Sequence, residues 1–278
     1  MSTNNPENKQ SSYAGFKSVD NTTDPKSYVK YLEAVSELEP IKDYKQVTYN
    51  VLDIQDGDLI LDAGCGIGID AKKIAEIYSV SVIGLDSSAS MIESAQEMTS
   101  TELFRSERVK FCVGDLNDLP FKDATFSSVR ADRTFQYFAD PKRAMEELVR
   151  VTKPKGGIVT ADPNWESLRF NGLSRSSVST IQKAFLNIIP SPFVGRDLRN
   201  LSLRKCFRTM VSYRKSIELD NASQVRLVLF LESSLRRAII GGILNDDQVS
   251  ESLEEFRETN PTKISGSFDI HIIKGVRK

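Results

Sequence analysis

Three alternate glycines close the segment Leu61-Asp62-Ala63-Gly64-Cys65-Gly66-Ile67-Gly68. Glycine reaches positive φ in a sharp turn, and its missing Cβ lets a ligand lie directly against the backbone and a helix N-terminus. The flanking residues suit that use. Leu59-Ile60-Leu61 reads as a strand, while Ala71, Ile74, Ala75, Ile77 and Tyr78 fall at helical spacing just afterwards. Taken alone, the turn stays ambiguous, because dinucleotide-binding loops and ordinary β-α turns collect the same glycines.

Its chemical partners follow along the chain. Asp86 ends a second apolar run twenty residues beyond Gly66 and offers two acceptor oxygens, which match the two hydroxyls of a ribose. NAD-binding domains use the same device, so Asp86 does not by itself name the nucleotide. Ser87 and Met91 open the next helix, with helix capping and core packing as their alternative roles. Gly114-Asp115-Leu116 closes a third strand, followed by Leu119-Pro120-Phe121 and Asp123-Ala124-Thr125-Phe126. Arg130-Ala131-Asp132-Arg133-Thr134-Phe135-Gln136-Tyr137-Phe138 leaves a fourth, and Lys153-Pro154-Lys155 precedes Gly156-Gly157 at the start of a fifth.

With Asp62 in front of it, the glycine turn resembles motif I of the class I S-adenosylmethionine-dependent methyltransferases. The run from Leu119 to Phe126 is similar to a segment of the ubiquinone- and menaquinone-biosynthesis type, whose substrates are small molecules. This resemblance implies S-adenosylmethionine as cofactor. It places Gly64, Cys65 and Gly66 against the methionine portion, with Asp62 orienting the loop or the ammonium group. Asp86 then takes the ribose, Ser87 and Met91 the adenine side, Asp115 the adenine amino group, and Leu116 the flank of the base. Arg130 is the candidate partner of the cofactor carboxylate, with a salt bridge to Asp132 or Glu146 as its alternative. Tyr13, Asp132 and Tyr137 are the candidate catalytic residues, as weak general bases for an in-line methyl transfer that positioning can largely carry. One departure is plain. Many relatives carry histidine near Gln136, whereas the one histidine here, His271, lies in the last strand.

The elements that must position these residues are legible as a rhythm. Strands at 58–64, 81–86, 109–115, 126–131 and 157–162 alternate with helices and are mostly continuously apolar. That pattern predicts an α/β fold with a Rossmann-like, mostly parallel sheet covered by helices on both faces. The resemblance implies seven strands, the last antiparallel. Pro25 and Pro40 start two helices ahead of the sheet. The expected divisions are a disordered tail over 1–12, an N-terminal helical lid over 13–56 and a cofactor-binding core over 57–165. A helical substrate cap over 166–260 holds one core strand at about 207–219, and 261–278 forms the final strand. Within the cap, 174–189, 196–206, 221–240 and 246–258 read as helices. Trp165, Phe170, Phe185, Ile188, Ile189, Pro192 and Phe193 are candidates for an apolar wall, or else for core packing. Tyr13-Ala14-Gly15-Phe16 resembles a lid that closes over the cofactor.

Composition narrows the function. A net charge of −1 gives no general attraction for nucleic acid. The basic run Arg196, Arg199, Arg204, Lys205, Arg208, Arg214 and Lys215 reads as a solvated face or as a rim favouring anions. Cys65, Cys112 and Cys206 are too scattered for a disulfide framework or a CxxC metal site, which fits the cytoplasm. No apolar run spans a bilayer. The expected partner is a small molecule, not nucleic acid or membrane, with the oligomeric state open. Two alternatives stand beside methyl transfer: a non-methylating S-adenosylmethionine-binding protein, such as a cyclase or binding module, and a nucleic-acid methyltransferase. The second is disfavoured because Asp162-Pro163-Asn164-Trp165 follows the fifth strand and lacks a second proline.

Overall fold

The computed structural model describes residues 12–99, 107–199 and 206–278. Strands β1 (Leu59–Ala63), β2 (Ser81–Asp86), β3 (Val109–Val113), β4 (Phe126–Asp132), β5 (Thr152–Asn171), β6 (Phe207–Leu219) and β7 (Ser265–Arg277) form a seven-stranded sheet. Their order is β3-β2-β1-β4-β5-β7-β6. β1 to β5 pair in parallel, and β7 runs antiparallel to both β5 and β6. Strand order reverses between β1 and β4, which opens a crevice at their carboxyl ends. β5 is longer than its apolar stretch indicates, because β7 pairs with it as far as Asn171.

The strands are apolar on both faces because both faces are covered. In β1, Ile60 belongs to a core shared with α2 (Glu39–Asn50), α3 (Ile69–Ile77) and α6 (Arg175–Ile188). Leu61 and Ala63 join the opposite core, with Ala144, Met145, Leu148 and Val151 of α5 (Lys142–Val151). Arg150 of α5 also explains the Leu119 to Asp123 run. Its guanidinium donates to the carbonyls of Leu119 at 2.9 Å and Phe121 at 2.7 Å, and to Asp123 at 2.8 Å.

Ahead of the sheet lie a 3-10 segment, Tyr13–Asn21, and helices α1 (Pro25–Ser36) and α2. Residues 1–11 of the expected tail lie outside the described residues. Ser12 is buried, and its amide donates to the Tyr28 hydroxyl at 2.9 Å. After β5 come α6, the short α7 (Val194–Asp197), α8 (Ala222–Leu229), α9 (Leu231–Ile240) and α10 (Asp246–Glu258). Two of the expected helices differ. The one expected from Arg196 is observed only as α7, and 200–205 lie outside the described residues. The one expected over 221–240 is broken at Phe230, whose φ of 46° is left-handed and whose ring stacks on Tyr31 at 4.4 Å.

The 3-10 segment is tied to the core by one carboxylate. Asp20 accepts from the Ser88 hydroxyl at 2.6 Å, the Ala89 amide at 2.7 Å and the Ser90 amide at 3.2 Å, at the start of α4 (Ala89–Thr99). An acceptor there meets helix amides that lack intrahelical partners. Partial burial raises its pKa, but the bonds from Ser88, Ser90 and Ala89 outweigh this and leave it below the ordinary value. A lowered carboxylate pKa stabilises above the unfolded-state value and loses that contribution as pH falls through the folded one.

Asp20→Ala is expected to speed amide exchange over Tyr13–Asn21 at neutral pH and to cost about 1 kcal/mol; the difference from the native chain should vanish in acid below the lowered pKa. Unchanged exchange at neutral pH would contradict the tether. Gly68, at φ 77°, starts α3, and a Cβ there would lie 2.4 Å from Cζ of Phe111. Gly68→Val should therefore cost about 2 kcal/mol or more in urea unfolding, whereas a loss below about 0.5 kcal/mol would show that the turn relaxes freely.

Candidate active site

A cavity of about 680 Å³ opens at the carboxyl ends of β1 to β4. Its floor is the glycine turn. The amides of Gly64 and Cys65 donate to the Leu85 carbonyl at 2.7 and 3.0 Å, which ties the turn to β2. Gly64 has φ 76°, and a Cβ on it would sit 2.4 Å from Oγ1 of Thr134, so glycine alone lets the turn meet the exit of β4. Cys65 lines the cavity as a neutral thiol, since burial and then the nearby Asp86 push its pKa well up.

Asp86 joins the turn to the start of α4. Its Oδ2 accepts from the Gly66 amide and its Oδ1 from the Ser88 amide, each at 2.9 Å. Each oxygen keeps a lone pair for another donor. Burial raises its pKa, opposed by those amide bonds. Ser87 and the buried Met91 line the cavity beside it. The cap of α4 is Ser88, not Ser87, with Ser88 Oγ accepting from the Met91 amide at 3.2 Å. Further along, Asp115 Oδ1 accepts from the amide and side chain of Asn117 at 2.8 and 3.0 Å. Leu116 is buried next to it, and both line the cavity.

A buried charge cluster lies beneath the other end. Arg130 Nη1 donates to Asp62 at 2.9 Å and lies 3.2 Å from Asp70, while Nη2 donates to Asp132 at 3.0 Å and Nε to Thr48 at 2.9 Å. Lys45 Nζ bonds Asp70 at 2.5 Å and lies 3.6 Å from Asp132. The hydroxyl of Tyr49 donates to Asp70, and that of Tyr44 to Asp132 at 3.1 Å. Burial pushes Asp62 upward against the pull of Arg130. Burial acts on Asp70 too, yet Arg130 and Lys45 together hold it below the carboxylate range.

The expected site residues therefore separate. Gly64, Cys65, Gly66, Asp86, Ser87, Met91, Asp115, Leu116, Tyr13, Asp132 and Tyr137 meet in one cavity. Asp62 and Arg130 do not line it. Instead of facing a ligand carboxylate, Arg130 is engaged by three aspartates, with its side chain 1 % exposed. The Asp132 salt bridge of its alternative reading is the one observed. Tyr13 is buried among Phe16, Tyr31, Tyr137, Trp165 and Phe185. Burial raises the pKa of Tyr13 and Tyr137, which favours the neutral hydroxyl in both.

Other residues enter that the sequence did not single out. Lys45, Asp70 and Arg133 line the cavity, and Gln136 and Asp162 hold the turn after β4. The segment quoted from Arg130 to Phe138 contained Arg133, but only its backbone turns it into the cavity. Among the described residues, none after Asp140 lines the cavity. Trp165, Phe185 and Ile189 are buried in the core, where Trp165 Nε1 donates to Gln136 at 2.9 Å. The aromatic wall comes from Tyr13, Phe16, Tyr31, Tyr137 and Phe138. Of the basic run, Arg196 pairs with Glu166 and Asp197, Arg208, Arg214 and Lys215 lie on β6, and Arg204 and Lys205 fall outside the described residues.

Residues 54–189 match the family described as a methyltransferase domain. A 37.1 kDa protein in transposon Tn4556 of Streptomyces fradiae is 32% identical over 222 residues, covering 78% of this chain and 62% of that protein. Demethylmenaquinone methyltransferase of Paenarthrobacter aurescens is 27% identical over 56% of this chain and 61% of its own. The chain thus spans less than two thirds of the length of these relatives. Phosphoethanolamine N-methyltransferase 2 of Haemonchus contortus, solved with S-adenosyl-L-methionine, shares the fold with a TM-score of 0.63 at 15% identity, covering 94% of this chain and 60% of that one. Residues 54–189 are thus similar to a methyltransferase domain, and the sheet around them has the fold of a solved methyltransferase.

Proposed function

We propose that this chain transfers a methyl group from S-adenosylmethionine to a small-molecule metabolite. The observation that carries this reading is the meeting of the Gly64–Gly66 turn, Asp86 and Asp115 in one cavity at the strand-order reversal. Their chemistry fits the cofactor part by part. The Gly64 turn leaves room beside the backbone for the methionine portion, and the spare lone pairs of Asp86 suit two ribose hydroxyls. Asp115 offers its Oδ2 to an adenine amino group, with Leu116, Met91 and Ser87 around the base. When bound, S-adenosylmethionine supplies an electrophilic methyl group on a sulfonium.

The chain's own residues then have positioning to do. Well-oriented reactants gain about 7–11 kcal/mol over free encounter, enough to need no protein nucleophile. Tyr13 and Tyr137 contribute as neutral hydroxyls and as walls that exclude water. Asp132, held by Arg130, Lys45 and Tyr44, fixes the methionine end of the cavity and is not a free base in this reading. The 3-10 segment with α1 and α2 acts as the lid, and α6 to α10 act as its support. A near-neutral net charge favours a metabolite over nucleic acid, and the free thiols Cys65, Cys112 and Cys206 suit a reducing cytoplasm.

Titration calorimetry tests the reading. S-adenosylmethionine should bind, and Asp86→Ala should weaken it at least about tenfold, as loss of hydrogen bonds to a charged group implies. Binding of NAD with no response to S-adenosylmethionine would contradict it. Metabolite extracts with methyl-labelled cofactor should yield S-adenosylhomocysteine and a labelled product; tight cofactor binding with no such product would favour the non-methylating alternative.

A further inference from the structure

Arg133 differs from the other charges of the cavity. It leaves β4 with φ 51°, a left-handed conformation that is strained for a residue with a β-carbon. The surrounding turn holds it there. The Arg133 amide donates to the Ala161 carbonyl at 2.6 Å, and Gln136 Nε2 donates to the Arg133 carbonyl at 3.1 Å. Asp162 fixes the next residues by accepting from the Phe135 and Gln136 amides at 3.3 and 3.1 Å. Such strain, held by several partners, places the Arg133 side chain in the cavity wall.

Among the described residues, the cations lining the cavity are Lys17, Lys45 and Arg133. Lys17 is exposed, and Lys45 is bonded to Asp70 at 2.5 Å. Arg133 has no ion-pair partner among the described residues. The groups that act on it electrostatically are the phenols of Tyr44, of Tyr31, which also hydrogen-bonds it, and of Tyr13, and then Asp132 and the backbone-bonded Asp162. The Asp132 carboxylate is already shared by Arg130, Lys45 and the Tyr44 hydroxyl. Neutral phenols offer oxygen atoms and ring faces but no counter-charge. A shielded guanidinium is therefore left with unused donors in a fork that matches a planar oxyanion.

We propose that Arg133 anchors a carboxylate of the methyl acceptor, which makes the acceptor an aromatic acid methylated at another of its atoms. The aromatic body follows from the rings of Tyr13, Phe16, Tyr31 and Tyr137, which lie 5.3–6.4 Å apart around this end of the cavity. The inference rests on the methyltransferase reading. The cofactor has a carboxylate of its own, so the test must separate the two sources.

The probes are 4-hydroxybenzoate and its neutral counterpart 4-hydroxybenzamide, titrated into the full chain saturated with S-adenosylhomocysteine. The acid should bind at least about tenfold more tightly than the amide, as a charge-assisted bidentate contact implies. Arg133→Met should abolish that preference while leaving S-adenosylhomocysteine affinity within about threefold. Arg133→Lys should keep part of the preference, because it retains the charge without the fork. Equal affinity for acid and amide, or no binding of the acid, would overturn the proposal even if Arg133→Met failed to fold. A loss of about tenfold or more in S-adenosylhomocysteine affinity for either variant would assign Arg133 to the cofactor carboxylate instead. Failure of S-adenosylhomocysteine to bind the native chain would remove the methyltransferase reading beneath it, a separate result.

Discussion

The buried contact of Arg130 with Asp62, Asp70 and Asp132 is the constraint around which the crevice is arranged. Its origin is register. Asp62 of β1 pairs with Arg130 of β4, and Asp132 lies two residues on, on the same face of the strand. Asp70 arrives from the first turn of α3, and Lys45 and Thr48 arrive from α2. Four elements thus meet through ionic and hydrogen-bonded contacts at the point where the strand order reverses. Such a cluster is a poor source of net stability, because desolvation offsets most of its Coulomb energy. Removing one partner is a different matter, at about 3–5 kcal/mol for an uncompensated buried charge. The cluster therefore fixes where β1, β4, α2 and α3 sit far more than it strengthens the fold.

Above that foundation the chain closes the cavity from its N-terminal side. Tyr13, Phe16 and Tyr31 form the wall, Asp20 fastens the segment to α4, and Phe230 between α8 and α9 stacks behind Tyr31. The Tyr31 hydroxyl donates to the Val228 carbonyl at 3.0 Å, so the late helices brace the early ones. The cavity is thereby lined by the N-terminal segment and the turn after β4. The helices after β5 act on it through their packing.

Much of this was legible in the sequence. The glycine turn, Asp86 and Asp115 were found because each ends an apolar strand at a fixed spacing, which is local information. The bounds of β2 and β6 matched the ranges expected for them. What was missed depends on tertiary contacts. Arg130 looked available to a ligand because its three carboxylates come from separate elements. Arg133 looked like the next residue along a strand until its left-handed φ turned it. The aromatics after Trp165 had the composition of a binding wall, yet the core needed them, and Trp165 is fully buried.

In the proposed function, Asp86 and Asp115 divide one nucleoside between them across the crevice, with the glycine turn beneath the amino-acid end. A crystal structure of the chain with S-adenosylhomocysteine tests this most directly. The ribose hydroxyls should lie on both oxygens of Asp86, and the adenine amino group on Asp115. Density for the nucleoside outside this cavity, or with its ribose away from Asp86, would contradict the claim.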